Sequence, residues 1–149
     1  MQFKSVGRIM TAALLASAPA FGAAAQEAEG SSPAPVLSVE LNALQATDKG
    51  CRFTFVVANQ LGGALESAAF ELVLFDKEGM VSRLTIVDFK DLPDGKTKVR
   101  QFDFSGVDCS SLGRVLVNDA TECKGSGIDA RACIQNLKTE TRTDTAFGI

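Results

Sequence analysis

The sequence predicts an all-β chain, a sandwich of about seven short strands. Three observations carry that expectation. Several segments alternate apolar and polar residues with a period of two. Ten phenylalanines, with no tryptophan or tyrosine, supply strand-forming bulk beside the β-branched residues. Turn signals built from Gly, Asn, Asp and Pro separate the segments at short intervals.

The chain is organised around the segment running from Cys51 to Asn59. Extended, it points Phe53, Phe55 and Val57 one way and Arg52, Thr54, Val56 and Ala58 the other. A run this short is also compatible with a helix. Its β-branched and aromatic content, bracketed by Gly50 and Gly62-Gly63, favours a strand. Burying Phe53, Phe55 and Val57 contributes roughly 1.5–3 kcal/mol each, more than any single polar interaction the sequence offers.

Residues 1–25 read as a signal peptide. Lys4 and Arg8 form a positive start, Ile9 to Ala20 a short apolar core, and Ala23-Ala24-Ala25 a small-residue cleavage site. Ala18-Pro19-Ala20 offers a second cleavage site. A membrane span is the competing reading, but a span needs about 20 strongly apolar residues and this run is alanine-rich and holds Pro19. No cysteine lies near the cleavage site to take a lipid, and no paired arginines precede the apolar core. Residues 26–35 read as a flexible linker and 36–149 as a single domain. Losing Lys4 and Arg8 leaves 13 basic and 18 acidic residues, a net charge of −5. That balance argues against nucleic acid and against anionic membrane surfaces as partners.

From Val36 to Leu44, Leu37, Val39 and Leu41 alternate with Ser38, Glu40 and Asn42, a half-buried first strand. Gln45 to Gly50 is a polar turn before the central strand. Ala69 to Phe75 is apolar on both faces except Glu71, which places it inside a sheet. Asp76-Lys77-Glu78-Gly79 is a tight turn into a fourth strand, Met80 to Phe89. In Leu92-Pro93-Asp94-Gly95, Pro suits the first corner of a type I turn and Gly the left-handed position. Read as a three-residue hairpin loop, it joins the fourth strand to a fifth, Lys96 to Phe104. That register sets Asp88 opposite Arg100, Ile86 opposite Phe102 and Leu84 opposite Phe104. A sixth strand covers Arg114 to Asp119, and Asp129 caps a short helical turn within Ala130 to Leu137. Leu137 to Ile149 alternates threonines with charged residues, as a polar edge strand does. Together these elements predict an immunoglobulin-like antiparallel β-sandwich.

All four cysteines, Cys51, Cys109, Cys123 and Cys133, lie beyond the signal peptide. An even count in an exported chain reads as two disulfides. Three pairings exist. The preferred one joins Cys51 to Cys109, stapling the central strand to a distant loop, and Cys123 to Cys133, closing a short excursion that holds the helical turn. In the chain-entropy account these contribute about 4 and about 3 kcal/mol. A structural zinc site is the alternative, with neither a Cys-x-x-Cys motif nor any histidine to favour it.

The absence of histidine removes Ser-His-Asp and Cys-His nucleophilic sites and every histidine-ligated metal. Asp88, Asp91 and Asp94 recur every third residue, but lack the alternate-residue ligands and terminal glutamate of a calcium loop. A strand end followed by a turn explains them. Lys96, Lys98 and Arg100 share one face of the fifth strand and form a candidate anion or partner face; the plainer reading is a solvated sheet face. No acidic pair stands out for glycoside chemistry. The sequence predicts no cofactor and no metal site.

Two resemblances follow from these motifs. Phe53 to Asn59, Phe70 to Asp76 with Gly79, and Leu92-Pro93-Asp94-Gly95 resemble bacterial sandwich modules of the FxLYD type. Those carry an Asn after a strand, an F-D-x-x-G turn and a later L-x-P-G; here Asp94 splits Pro93 from Gly95. More of the chain resembles uncharacterised exported bacterial proteins, some labelled "Tat pathway signal sequence domain protein". Asp48 to Cys51, Asp88 to Leu92, Val99 to Asp103 and the four cysteines carry that likeness, although the twin arginines of the label are missing. Neither resemblance implies an activity or catalytic residues. The expected function is a non-catalytic periplasmic accessory, assembly or interaction module with a protein partner. A binder of a small anion through Lys96, Lys98 and Arg100 is the alternative, and a carboxylate-only enzyme the third reading. Non-reducing peptide mapping is expected to recover Cys51 joined to Cys109; a peptide joining Cys51 to Cys123 refutes the pairing.

Overall fold

The computed structural model describes residues Pro33–Ile149. The signal peptide assigned to residues 1–25 and most of the linker at 26–35 lie outside the described residues. Eight strands form two four-stranded sheets stacked as a sandwich: β1 (Val36–Thr47), β2 (Gly50–Gln60), β3 (Leu65–Asp76), β4 (Val81–Leu92), β5 (Thr97–Ser105), β6 (Leu112–Lys124), β7 (Leu137–Thr141) and β8 (Ala146–Gly148). One sheet has the order β5-β2-β1-β7 and the other β4-β3-β6-β8. The first six strands divide as in immunoglobulin-like sandwiches, with β1, β2 and β5 in one sheet and β3, β4 and β6 in the other.

The central strand is where its pattern put it. β2 lies between β1 and β5, and Cys51, Phe53, Phe55 and Val57 are completely buried on its inner face. Phe55 packs against Phe53, Phe89, Phe102 and Phe147, with ring centroids 5.6–6.2 Å apart, within the range of favourable aromatic pairs. The core is close-packed: the gap between the sheets beside Phe55 and Phe70 is about 10 Å³ and wholly apolar, too small for a ligand. β3 is interior to its sheet, between β4 and β6, as its two apolar faces require.

Three expectations are corrected. First, β4 and β5 are not a hairpin. They lie at facing edges of different sheets, so Asp88, Ile86 and Leu84 do not pair with Arg100, Phe102 and Phe104. β5 pairs with β2 instead, Phe53 opposite Phe102 and Val57 opposite Lys98. The Pro93-Asp94-Gly95 turn is a bridge between sheets. Lys96 N donates to Pro93 O at 3.2 Å, which makes Asp94 and Gly95 the corners, with Gly95 at φ 67°.

Second, the sandwich is not purely antiparallel. β7 runs parallel to β1 and β8 parallel to β6. Third, the last segment is not one edge strand but two, in different sheets. Threonine hydroxyls build the crossing: Thr143 N donates to Thr141 Oγ1 at 3.1 Å and Thr145 N to Thr143 Oγ1 at 3.2 Å. Such local bonds compete with the ladder and end the strand. Phe147 then enters the core beside Phe55.

Both disulfides follow the preferred pairing, Cys51–Cys109 and Cys123–Cys133. The helical turn α1 (Ala132–Gln135) begins at the far end of the small disulfide loop rather than filling it. Asp129 Oδ1 accepts from Arg131 N at 2.8 Å just before it.

The bridge between sheets hangs on Asn59, which is fully buried. Its Nδ2 donates to Leu92 O at 2.8 Å and to Gly63 O at 2.9 Å, and its Oδ1 accepts from Leu61 N at 3.0 Å. Its backbone accepts from Gly95 N and donates to Lys96 O. Removing the amide leaves buried backbone groups without partners. Asn59→Ala is therefore expected to lower the unfolding free energy by about 2–4 kcal/mol, measured by urea titration; a loss below about 0.5 kcal/mol, the scale of an ordinary surface substitution, contradicts this role.

Candidate functional site

Two surfaces meet at the β4 edge: the seam between β4 and β5, and the outer face of the β4-β3-β6 sheet. The seam contains two of the three cations singled out from the sequence, Lys98 and Arg100. Lys98 and Arg100 share the inward side of β5 with Phe102 and Phe104, at the end where the sheets open. Their stems are covered and their charged ends reach across to β4.

Lys98 Nζ donates to Asp91 Oδ2 at 2.6 Å and to Asp91 O at 3.0 Å. Arg100 Nε donates to Phe89 O at 2.8 Å, and its Nη2 lies 3.3 Å from Asp91 O and 3.6 Å from Asp91 Oδ1. Lys96 precedes β5 and is exposed, with no ion pair among the described residues. The structure thus separates the row. Two cations hold the seam and one faces solvent.

This clamp also defines the edge of β4. Its carbonyls at Phe89 and Asp91 are occupied by side chains from the opposite sheet. The strand is irregular there too: register shifts flank Ala68, and Lys90 adopts a left-handed φ of 63°, uncommon for a residue with a side chain. Asp88 supports the kink, accepting from Lys90 N at 2.8 Å and pairing with Lys90 Nζ at 2.5 Å. A kinked and occupied edge resists addition of another strand. Asp88, Asp91 and Asp94 do not converge. Among the described residues no group of three or more His, Cys, Asp or Glu is placed to hold a metal ion.

The outer face of the same sheet is different. Val81, Leu84 and Ile86 are 53%, 58% and 59% exposed along β4. The sequence reading had Leu84 and Ile86 facing the fifth strand's phenylalanines. In the fold, Val87 and Phe89 are buried and Leu84 and Ile86 point outward. The signal was present: Ile86 and Val87 are adjacent and both apolar, so only one of the two alternating sets can reach the core. Val73 and Leu116 continue the outward row on β3 and β6, with Val73 itself covered by its neighbours.

A cleft of about 460 Å³ is open and polar, lined by Lys77, Ser110, Arg142, Thr143 and Thr145 among others. Arg142 is already committed to Glu40, 2.9 Å away. No helix among the described residues is long and apolar enough to cross a membrane. No family model, curated protein or solved structure matches the chain.

Hydrogen bonding to the ionised form lowers the proton affinity of several carboxyls. Hydrogen bonding from Lys98 holds Asp91 below its ordinary value of 3.8, and hydrogen bonding from Lys90 does the same for Asp88. Hydrogen bonds from Arg52 and Asn42 lower Asp103 and Glu40. A carboxyl lowered in the folded state contributes stability that is whole above its ordinary value and lost as pH falls through its lowered one. Thermal melts are therefore expected to show falling Tm as pH drops below the ordinary values of 3.8 for Asp and 4.5 for Glu. The fall should be shallower in Asp91→Asn. Superimposable acid limbs for the parent and Asp91→Asn argue against the seam contact.

Proposed function

We propose that this chain is an exported, non-catalytic interaction module of the periplasm that docks a protein through the outer face of β4, β3 and β6. The observation carrying this reading is the row of Val81, Leu84 and Ile86, three large aliphatic side chains each more than half exposed on one sheet face. Single exposed apolar residues are ordinary, but a contiguous row beside further apolar neighbours is the form an interaction surface takes. The signal-peptide pattern of residues 1–25 and the two disulfides support an oxidising, extracytoplasmic compartment.

The anion-binding alternative has less support. An anion at Lys98 and Arg100 must displace Asp91 and compete with two backbone carbonyls, which leaves Lys96 as its accessible charge. The carboxylate-only enzyme needs an acid with a raised proton affinity. The shifted carboxyls here, Glu40, Asp88, Asp91, Asp103, Asp108 and Glu122, all move the other way, through hydrogen bonds that favour the ionised form.

A photo-reactive residue placed at Ile86, with Gln101 on the other sheet as control, tests the docking face in the native periplasm. The expected result is a protein cross-link at Ile86 that disappears when Leu84→Asp is added. Equal labelling from Ile86 and Gln101 removes the reading.

A further inference from the structure

We propose that the occupant of this face is a second copy of the chain, stacked face to face about a two-fold axis that lies in the interface and runs across the strands. This rests on the reading of the face as a docking surface and names its partner.

The argument is the order of residues along the face. Phe75 pairs with Val81 on one side and Arg114 on the other. Val73, two residues away, pairs with Leu84 and Leu116. Glu71, two further, pairs with Ile86 and Asp119. The end residues are accessible: Arg114 and Asp119 are exposed, and Glu71 and Phe75 are half-buried. The Arg114 guanidinium lies 5.7 Å from the centre of the Phe75 ring, and Asn118 Nδ2 donates to Glu71 Oε1 at 2.6 Å. The face therefore reads cation, apolar centre, acid along the β6 side, with Val81, Leu84 and Ile86 along the β4 side ahead of Asp88.

A two-fold axis across the strands at the level of Val73 reverses this order in the second copy while keeping β4 over β4 and β6 over β6. Leu84 then meets its own copy, Val81 meets Ile86, and Arg114 meets Glu71 and Asp119. The surface is complementary to itself, the requirement of an isologous interface. An axis parallel to the strands does not do this: it sets β6 over β4, facing Arg114 with Val81 and the acids with Ile86. Edge-to-edge pairing through β4 is disfavoured because Lys98 and Arg100 occupy the carbonyls of Phe89 and Asp91. A core of three rungs, each about 6.6 Å apart along the strand, is small, so the pair forms at high concentration and dissociates on dilution. The rim charges fix orientation more than they add affinity.

Sedimentation equilibrium of the purified exported protein, from low micromolar to millimolar concentration, tests this. The expected result is a monomer that passes to a dimer. Leu84→Lys should remain monomeric throughout with an unchanged Tm, since Leu84 is exposed. Arg114→Glu should raise the dissociation constant about tenfold, and adding Glu71→Lys with Asp119→Lys should bring most of it back. A monomer at every concentration overturns the proposal, as does a dimer indifferent to Leu84→Lys. If the monomer is found and the Ile86 cross-linker still captures another protein, the docking face stands and only the second copy is refuted. If neither occurs, both fall.

Discussion

The buried amide of Asn59 decides how the two sheets are joined. A side-chain amide taken out of water must find partners for its donors and acceptor, and here they come from both flanks of the crossing. Leu92 O ends β4, Gly63 O and Leu61 N belong to the loop leaving β2, and the backbone of Asn59 holds Gly95 and Lys96. The chain leaving β4 is thereby delivered to β2, in the other sheet, instead of folding back onto β4. The rest of the surface follows. β5 becomes the partner of β2, its cations reach back to the edge that lost a hairpin, and β4 remains an edge strand beside β3.

The interior works to the same end. Phe55 lies between rings from both sheets, and the gap beside it is small enough that any shift of one sheet over the other would open space or force overlap. Cys51–Cys109 ties the buried start of β2 to the turn before β6, and Cys123–Cys133 ties the end of β6 to α1. The seam between β4 and β5 is closed by side chains, the side between β7 and β8 by the chain itself. The closed interior leaves the outer faces and shallow clefts as the accessible surfaces: one outer face carries Val81, Leu84 and Ile86, and the other carries Val99 among polar contacts such as Gln101 to Thr54 and Arg52 to Asp103.

Legibility differed between the fold and the site. Most strands and the inner residues of β1, β2 and β3 are readable because period-two alternation is a local fact, and the even cysteine count limits the disulfides to three pairings. The candidate site was read only in part. Lys98 and Arg100 were correctly put on one side of their strand, but the side turned out to be the inward one, closed over by Asp91. Leu84 and Ile86 were given a core partner they do not have, because two apolar sets alternate on β4 and the pattern alone does not say which set is buried.

The sequence by itself determined an all-β chain, the position of most strands, the extents of β2 and β5, the buried face of β2 and an even set of four cysteines. Each rests on chemistry within a few residues or on the number and position of cysteines. Only the tertiary structure decided that β4 and β5 belong to different sheets, that the C-terminal segment divides between them, and that an apolar row faces outward. The physical reason is that a Pro-Asp-Gly turn has the same local geometry whether it closes a hairpin or bridges two sheets. The choice between them is made by groups distant in sequence, above all by the amide of Asn59 reaching the carbonyl of Leu92.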